Sequence, residues 1–258
     1  GAGDNAAAAV GTGTVGDNMC NISLGTSGTI FISSNHFGVD QHNALHSFAH
    51  ADGHYHLMGC MLSAASCNKW WMDEIIGTKD YAAEQAQIEK LGENHVYFLP
   101  YLMGERTPHL DPDCRGAFIG LSAMHTKYDM LRAVMEGVTY SQRDSVEVLK
   151  TMGVSIDGML ACGGGGSSKL WRQMLADTYN CAVRTVVSKE GPALGVAILA
   201  GVGAGLYPSV QEGCRRVIRL NAPQEPIEEN VPKYEAFYRM YTKLYPALKD
   251  CYKALAAL

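Results

Sequence analysis

Four consecutive glycines, Gly163–Gly166, followed by Ser167 and Ser168, place the strongest constraint on how this 258-residue chain folds. They stand between an apolar segment that predicts a strand, 158–162, and an amphipathic segment that predicts a helix, 168–179. One or two glycines suffice for a tight strand-to-helix turn, so four favour a backbone that approaches a ligand closely. The N–H groups that open the helix would then face an anion or a polar ring. The alternative is a plain turn in which one of the two serines caps the helix.

A second glycine site, Gly25-Thr26-Ser27-Gly28, lies between two apolar segments that predict strands, 19–24 and 29–33. The hydroxyls and N–H groups of such a hairpin tip are suited to surround phosphate oxygens. Taken alone, the four residues are explained more simply as an ordinary hairpin turn. The chain's 28 glycines concentrate in a few clusters of this kind.

The order of the predicted elements indicates one α/β domain. The predicted strands cover 19–24, 29–33, 45–50, 54–59, 96–101, 158–162 and 182–187. The predicted helices cover 5–10, 61–76, 79–91, 128–152, 168–179, 192–205 and 233–258. Hairpin signals such as Asp52-Gly53 make the first third an antiparallel meander. The strand–helix alternation of the last third predicts parallel strands.

Charge and composition exclude several classes of protein. The net charge is −5 and Lys and Arg do not cluster, which argues against a nucleic-acid surface. No run of 18 apolar residues is present, so we expect no membrane span. The eight cysteines are scattered without a C-x-x-C pair, which argues against a zinc ribbon or a thioredoxin motif. With no basic leader segment at the start, we expect reduced thiols and a cytoplasmic location.

Asp4 stands among small residues at the start of the first predicted helix. As a structural residue it would cap that helix or remain an exposed acid. As a functional residue it would be a general base, because a carboxylate in a glycine-lined cleft is able to take a proton from a hydroxyl.

Two other groups of residues suggest chemistry less strongly. Five histidines crowd the second hairpin, and an exposed polar sheet face explains them as well as a metal site does: His42, His46, His50, His54 and His56. Ser66-Cys67-Asn68-Lys69 matches the S-x-x-K of penicillin-binding serine hydrolases, but no Lys-Thr-Gly follows, and we reject that interpretation.

The predicted loop 102–116 contains two prolines and mixed charge. Loops of this length are often functional. Glu105, Arg106 and Arg115 lie in it, and an Arg–Glu pair that braces the loop is at least as good an explanation as a catalytic role.

Several segments, in the same order along the chain, resemble the motifs of the FGGY family of carbohydrate kinases. The opening Gly-Ala-Gly-Asp-Asn-Ala-Ala, residues 1–7, is similar to the family's Gly-Gly-Gly-Asp-x-x-Ala, with Ala2 in place of a glycine. The other segments that carry the resemblance are Ser23–Gly28, Gly116–Glu136, Cys162–Asp177 and Glu190–Gly195. The 100–108 segment, with Gly-Glu-Arg-Thr-Pro at 104–108, is most similar to that of the family members that phosphorylate xylulose.

The resemblance implies a ribonuclease-H-like domain of the actin-like ATPase fold, with a mixed sheet and helices on both faces. It implies that residues 1–258 are a C-terminal ATP-binding domain, and that an N-terminal sugar-binding domain of the same protein is missing from this chain. The implied reaction is phosphoryl transfer from ATP, with Mg²⁺, to a ketose, most simply D-xylulose to D-xylulose 5-phosphate.

The resemblance also implies roles for individual residues. Asp4 would be the general base, and Asp4 and Asn5 would contact the sugar. The residues implied to bind ATP are Gly25, Thr26, Ser27, Gly163, Gly164, Gly165 and Ser168. Mg²⁺ would bind mainly through phosphates and water, with no metal-binding residue of this chain assigned. Three alternatives stay open: another substrate such as ribulose, gluconate or glycerol; a non-catalytic actin-like nucleotide-binding module; and a folded fragment that binds nothing alone. The oligomeric state, a homodimer included, is open as well.

Overall fold

The computed structural model describes residues 2–88, 90–93, 95–156, 158–188 and 190–258. Within these ranges the strands are β1 (Cys20–Leu24), β2 (Gly28–Ser34), β3 (His46–Ala49), β4 (Tyr55–Met61), β5 (Tyr97–Leu99), β6 (Ala117–Ile119), β7 (Met159–Cys162) and β8 (Val183–Arg184). The helices are α1 (Asp4–Thr12), α2 (Ala65–Trp70), α3 (Tyr81–Gln85), α4 (Lys127–Thr151), α5 (Gly163–Gly166), α6 (Lys169–Tyr179), α7 (Gly191–Gly203), α8 (Val210–Val217), α9 (Val231–Tyr241) and α10 (Leu244–Ala256).

The main sheet is mixed, with the strand order β3-β4-β2-β1-β7-β8. The first four strands in sequence pair antiparallel, as the hairpin signals predict. They do not form the simple meander that was expected, because β4 lies between β2 and β3 and β3 stands at the edge of the sheet. β7 then pairs with β1 in parallel, and β8 pairs with β7 in parallel. β5 and β6 form a separate two-stranded antiparallel sheet. The predicted order, antiparallel strands first and parallel strands later, is therefore confirmed.

Helices cover both faces of the main sheet. Side chains alternate along a strand, and in β2 Ile30 and Ile32 belong to the large core that also contains Val134 of α4 and Leu175 of α6. Phe31, between them, points to the opposite face and packs with Ala9 of α1. The predicted α/β architecture with helices on both sides of the sheet is confirmed.

α1 and α7 pack backbone against backbone. A Cβ atom added at Gly195 would lie 1.8 Å from the carbonyl oxygen of Ala7, and one added at Gly11 would lie 2.0 Å from the carbonyl oxygen of Gly191. These distances are far below van der Waals contact, so any larger residue at either position must push the two helices apart.

The C-terminal helices α9 and α10 are attached through tyrosine hydroxyls that donate to carboxylates. From α9, Tyr234 donates to Glu136 at 2.9 Å and Tyr238 donates to Asp144 at 2.7 Å. Both carboxylates belong to α4. Burial raises the pKa of Asp144 to about 7.

The prediction of a single helix over 233–258 is wrong. The chain forms two helices, because Pro246 lacks an N–H group and is accommodated only in the first turn of a new helix.

The 102–116 loop is braced by Glu105, whose side chain is buried. Its Oε1 accepts hydrogen bonds from the N–H groups of Arg106 at 2.7 Å and Leu62 at 2.9 Å. Its Oε2 accepts from the Ser141 hydroxyl at 3.4 Å. Burial raises the pKa of Glu105 to about 7, against the lowering effect of these hydrogen bonds. The loop is thus braced through backbone N–H donors, where the sequence suggested an Arg–Glu pair.

Other predicted boundaries change in the structure. The helix predicted over 61–76 begins only at Ala65, because β4 extends to Met61, and it continues as π-helical turns over Trp71–Ile76. The helix predicted over 79–91 reduces to α3, which buries none of its residues and so lacks the packing that sustains a longer helix. Residue 89 of that prediction lies outside the described residues. The 182–187 strand reduces to Val183–Arg184, and β6 and α8 were not predicted.

All eight cysteines are free thiols in the structure, in line with the expected reduced state. Across the described ranges, no helix combines the length and the apolar character that crossing a membrane requires.

The contact between α1 and α7 predicts a sharp difference between two glycines of one helix. Gly195→Ala should lower the free energy of unfolding by at least about 2 kcal/mol, because its methyl group meets backbone atoms that cannot rotate away. The matched change Gly203→Ala, where nothing lies within 4 Å, should stay within about 1 kcal/mol of wild type. Denaturant unfolding measures both; equal effects would contradict the packing described.

The raised pKa of Glu105 predicts that stability depends on pH. The native carboxyl, with a pKa of about 7, holds its proton more tightly than the unfolded chain, whose Glu titrates near the ordinary 4.5. The free energy of unfolding should therefore fall as pH rises from about 4.5 to 7, with Asp144 contributing in the same direction. Glu105→Gln should flatten this decline by on the order of 1–3 kcal/mol. An identical pH profile for the two proteins in urea unfolding would contradict it.

Candidate functional site

The two glycine segments predicted from the sequence meet in one cleft. β1 ends at Leu24 and β7 ends at Cys162, and the two strands are parallel neighbours with Ser23 paired to Cys162. Because carboxyl ends of parallel strands lie at the same edge of a sheet, the turns that follow them are adjacent. The cleft has a volume of about 760 Å³. Its lining includes Gly25 and Thr26 from the first turn, and Gly164, Gly165, Ser167 and Ser168 from the second.

The four glycines of the second turn differ in what requires them. Gly163 has a φ of +79°, and a Cβ there would lie 2.7 Å from the Leu24 carbonyl oxygen. A Cβ at Gly165 would lie 2.9 Å from the Trp171 ring. Close packing therefore explains Gly163 and Gly165, and Gly163 lies against β1 outside the cleft lining. At Gly164 nothing lies within 4 Å of an added Cβ, so its backbone is open to the cleft.

Ser168 combines the capping role and a place in the cleft. Its Oγ accepts a hydrogen bond from the N–H of Trp171 at 3.2 Å, which caps α6. The same hydroxyl donates to Oε1 of Gln85 at 2.7 Å. The bond to Gln85 ties the glycine turn to α3, which forms another part of the cleft wall.

The rest of the cleft is lined by residues that no motif in the sequence assigns to a site. They come from α2 and α3: Ala65, Ser66, Asn68, Lys69, Tyr81, Ala82 and Gln85. Ser66 Oγ and Asn68 Oδ1 are buried and have no hydrogen-bond partner among the described residues. Both residues line the cleft, so their side chains are candidates for contact with a polar ligand. Three of these residues, Ser66, Asn68 and Lys69, belong to the S-x-x-K segment, so their polar side chains were visible in the sequence while their place in the cleft was not.

The wall formed by α2 is attached directly to the first glycine turn. The N–H of Ala64 donates to the carbonyl oxygen of Thr26 at 2.9 Å, and the N–H of Ala65 donates to that of Gly25 at 2.8 Å. Gln142 of α4 donates from Nε2 to the Ser23 carbonyl oxygen at 2.9 Å. The turn is therefore held from both of its flanks.

Besides Gly163, three predicted site residues lie outside the lining of this cleft. Asp4 and Asn5 are exposed in the first turn of α1. Gly3 occupies the N-cap position of α1, so Asp4 is not the cap residue. Ser27 is exposed at the tip of the hairpin. Gly1, part of the motif around Asp4, lies outside the described residues.

The histidines of the second hairpin do not form a metal site with other described residues. Over those residues, no three His, Cys, Asp or Glu side chains are placed to hold a metal ion. His50 and His56 are buried and pack on Phe31, with ring centroids at 5.1 and 4.1 Å. Burial lowers the pKa of His56 to about 4. The prediction of an exposed polar face is wrong for these two, because their rings pack on Phe31 and on each other.

Comparison with known proteins agrees with this arrangement. Residues 20–204 match the model of the C-terminal domain of the FGGY family of carbohydrate kinases. The xylulose kinase of Escherichia coli K12 is 39% identical over 263 residues, which cover 96% of this chain and 52% of that protein.

Two solved structures extend the comparison. The xyloylose kinase of Brucella ovis superposes with a TM-score of 0.91 at 35% identity, covering 97% of this chain and 52% of its own. The gluconate kinase of Lactobacillus acidophilus superposes with a TM-score of 0.89 at 25% identity, covering 99% of this chain and 52% of its own. The chain thus spans about half the length of the relatives that it matches.

The family match covers the main sheet from β1 to β8 and both glycine turns of the cleft. The expected ribonuclease-H-like, actin-like fold is confirmed, since the structural relatives are kinases of that fold. This chain belongs to the FGGY family of carbohydrate kinases and contains the family's C-terminal domain.

Proposed function

We propose that residues 1–258 are the nucleotide-binding half of a sugar kinase that transfers the γ-phosphoryl group of ATP to a ketose hydroxyl. D-xylulose, converted to D-xylulose 5-phosphate, is the substrate that the similarity to xylulose kinases favours. The observation that carries the proposal is the meeting of two glycine turns in one cleft of about 760 Å³, within the usual size range of a small-molecule site. An N-terminal half of the same protein would supply most contacts to the sugar.

In this proposal the Gly25–Ser27 turn holds the phosphates. Its backbone and the Thr26 hydroxyl stand at the carboxyl end of β1, where the open backbone of Gly164 faces the same cleft. Phosphoryl transfer needs little covalent help from a protein and depends on positioning and on stabilising charge. Preorganised N–H and hydroxyl donors are suited to both tasks.

The adenosine is proposed to lie on the Gly163–Gly165 and Ser168 side of the cleft, against α2 and α3. There the polar side chains of Ser66 and Asn68 belong to the cleft wall and would meet a polar heterocycle or a ribose. Apolar surface from Tyr81 and Ala82 of α3 lines the same cleft and suits the flat faces of a base.

Asp4 is proposed as the general base and Asn5 as a second contact to the sugar. Both are exposed at the start of α1, and this is compatible with a base that meets its substrate only when two domains close. The carboxylate would accept the proton of the attacking hydroxyl as the new P–O bond forms.

The described residues contain no carboxylate and imidazole cluster that builds a Mg²⁺ site by itself. Mg²⁺ is therefore proposed to bind mainly through phosphate oxygens and water, which is its usual mode in such enzymes. The free thiols are compatible with the reducing cytoplasm proposed for the enzyme.

A second substrate is supported by one observation. The structure superposes on the gluconate kinase almost as well as on the xyloylose kinase, with TM-scores of 0.89 and 0.91. The sugar acid gluconate is therefore the second candidate, and comparing kcat/KM for D-xylulose and gluconate in the full-length protein decides between them.

Replacing Asp4 tests the proposed base. In the full-length protein, Asp4→Ala should lower kcat for D-xylulose by roughly 10²–10⁴, the usual contribution of a general base, with KM for ATP little changed. ADP release in a coupled assay gives both constants. A near-normal kcat would remove Asp4 from this role.

The 258-residue chain without the proposed N-terminal half should release no ADP in response to the sugar. Robust turnover by this chain alone would contradict the proposal that the N-terminal half supplies most contacts to the sugar.

Replacing Gly164 tests the nucleotide site. Nothing lies within 4 Å of a Cβ at this position, so Gly164→Val should fold normally while its side chain enters the cleft. We expect the affinity of the chain for MgADP to fall at least about tenfold in isothermal titration. Gly203→Ala, remote from the cleft, is the control and should bind as wild type does. Unchanged binding by Gly164→Val would place the nucleotide elsewhere.

A further inference from the structure

The 104–108 loop, Gly-Glu-Arg-Thr-Pro, turns its Glu and Thr side chains inward. Glu105 is 2% exposed and Thr107 is 1% exposed, whereas Arg106 between them is exposed. This loop carries the similarity to xylulose-phosphorylating members. Two of its polar side chains nevertheless face the end of β4 and form hydrogen bonds with the backbone there.

Thr107 forms hydrogen bonds with both the N–H and the carbonyl group of Cys60. The N–H of Thr107 donates to the Cys60 carbonyl oxygen at 2.9 Å, and the Thr107 Oγ1 accepts from the Cys60 N–H at 3.1 Å. The same hydroxyl donates to the Ala44 carbonyl oxygen at 2.6 Å. The Thr107 hydroxyl is therefore both donor and acceptor, and a methyl group in its place would leave two buried backbone groups without their partner.

Glu105 forms a hydrogen bond with the backbone of Leu62, the first residue after β4 and two positions beyond Cys60. Oε1 accepts from the Leu62 N–H at 2.9 Å, and Oε2 is reached by the Ser141 hydroxyl of α4 at 3.4 Å. The carboxyl therefore links the loop, the end of β4 and the central helix. Its Oε1 also accepts from the Arg106 N–H, so the side chain is occupied by protein donors.

The segment that these two residues hold continues directly to the Gly25–Ser27 turn. Two positions after Leu62, the N–H of Ala64 donates to the Thr26 carbonyl oxygen, and that of Ala65 donates to the Gly25 carbonyl oxygen. Met61 is also the strand partner of Gly28, at the other end of the turn. Any shift of residues 60–65 must therefore move the turn or break these bonds.

The opposite flank of the turn is held by the neighbour of Ser141. Gln142 donates to the Ser23 carbonyl oxygen at 2.9 Å, and a Cβ at Gly28 would lie 2.7 Å from the Gln142 Nε2. Two consecutive residues of α4 thus act on the two flanks, Gln142 directly and Ser141 through Glu105.

We propose that Glu105 and Thr107 are positioning residues for the Gly25–Ser27 turn, acting through the end of β4 and the 62–65 segment. The 104–108 loop then serves the nucleotide side of the site and does not read the sugar through these two side chains. The role in nucleotide binding rests on the proposed function; the mechanical link to the turn does not.

Two pairs of variants of the 258-residue chain test the link. Glu105→Met removes the acceptors at similar length, while Glu105→Gln keeps an amide oxygen for Leu62 and an NH₂ group for Ser141. Thr107→Val removes the hydroxyl at constant shape, while Thr107→Ser keeps it. The readouts are the dissociation constant for MgADP, amide hydrogen exchange of peptides spanning 23–29 and 60–66, and the urea unfolding midpoint.

The Met and Val variants should weaken MgADP binding about five- to twentyfold and speed exchange in 23–29 by a similar factor, whereas the Gln and Ser variants stay within about twofold. A general loss of stability would instead speed exchange throughout the chain and would not be rescued by the conservative partners. If Glu105→Met fails to fold, the Thr107 pair decides alone.

The proposal is overturned if exchange in 23–29 is unchanged in both disruptive variants, or if it changes only in step with the rest of the chain. A wild-type chain that does not bind MgADP contradicts the proposed nucleotide site, and the exchange data then still judge the link. Changed exchange with unchanged MgADP affinity would overturn the functional half of the proposal.

Discussion

The parallel pairing of β1 with β7 is the constraint on which the site depends. The Ser23–Cys162 register ends both strands at the same level, so both glycine turns open into one cleft. Gly163 makes this possible. Its backbone is left-handed, and a Cβ atom added there would lie only 2.7 Å from the Leu24 carbonyl oxygen. A side chain there would separate the two turns. The closeness of two backbones, and not any single reactive group, therefore creates the nucleotide site that we propose.

Helix α4 connects the surroundings of the cleft to the rest of the domain. Its buried polar residues hold the surroundings of the cleft: Gln142 holds Ser23, and Thr139 accepts from the Trp171 indole at 3.1 Å beneath the second turn. Ser141 reaches Glu105, whose burial would be costly for a carboxyl that lacked donors. The same helix carries Glu136 and Asp144, which anchor the tyrosines of α9. One helix thus connects the core, the cleft and the C-terminal helices through hydrogen bonds that solvent does not weaken.

The opposite face of the sheet is organised differently. There α1 meets α7 through glycines, so that helix backbones touch and no side chain intervenes. This contact sets the direction of α1, and with it the position of Asp4 at the exposed start of the helix. A carboxylate in that position is favoured by the N-terminal end of the helix dipole. It lies outside the lining of the cleft, which is compatible with the role of a base that we propose for it.

The sequence by itself determined the two glycine turns, the alternation of strands and helices and the family, because these depend on local composition and on motifs in a given order. Only the tertiary structure decided which glycines serve packing and which open to the cleft, since Gly163 and Gly164 look alike in sequence. It also placed Ser66 and Asn68 in the wall and buried Glu105 and His56. Burial and hydrogen-bond partners are set by residues far apart in the chain, such as Glu105 with Leu62, and no local pattern encodes them. The shortening of α3 has the same origin, because none of its residues is buried and helices in proteins are sustained mainly by packing of a buried face.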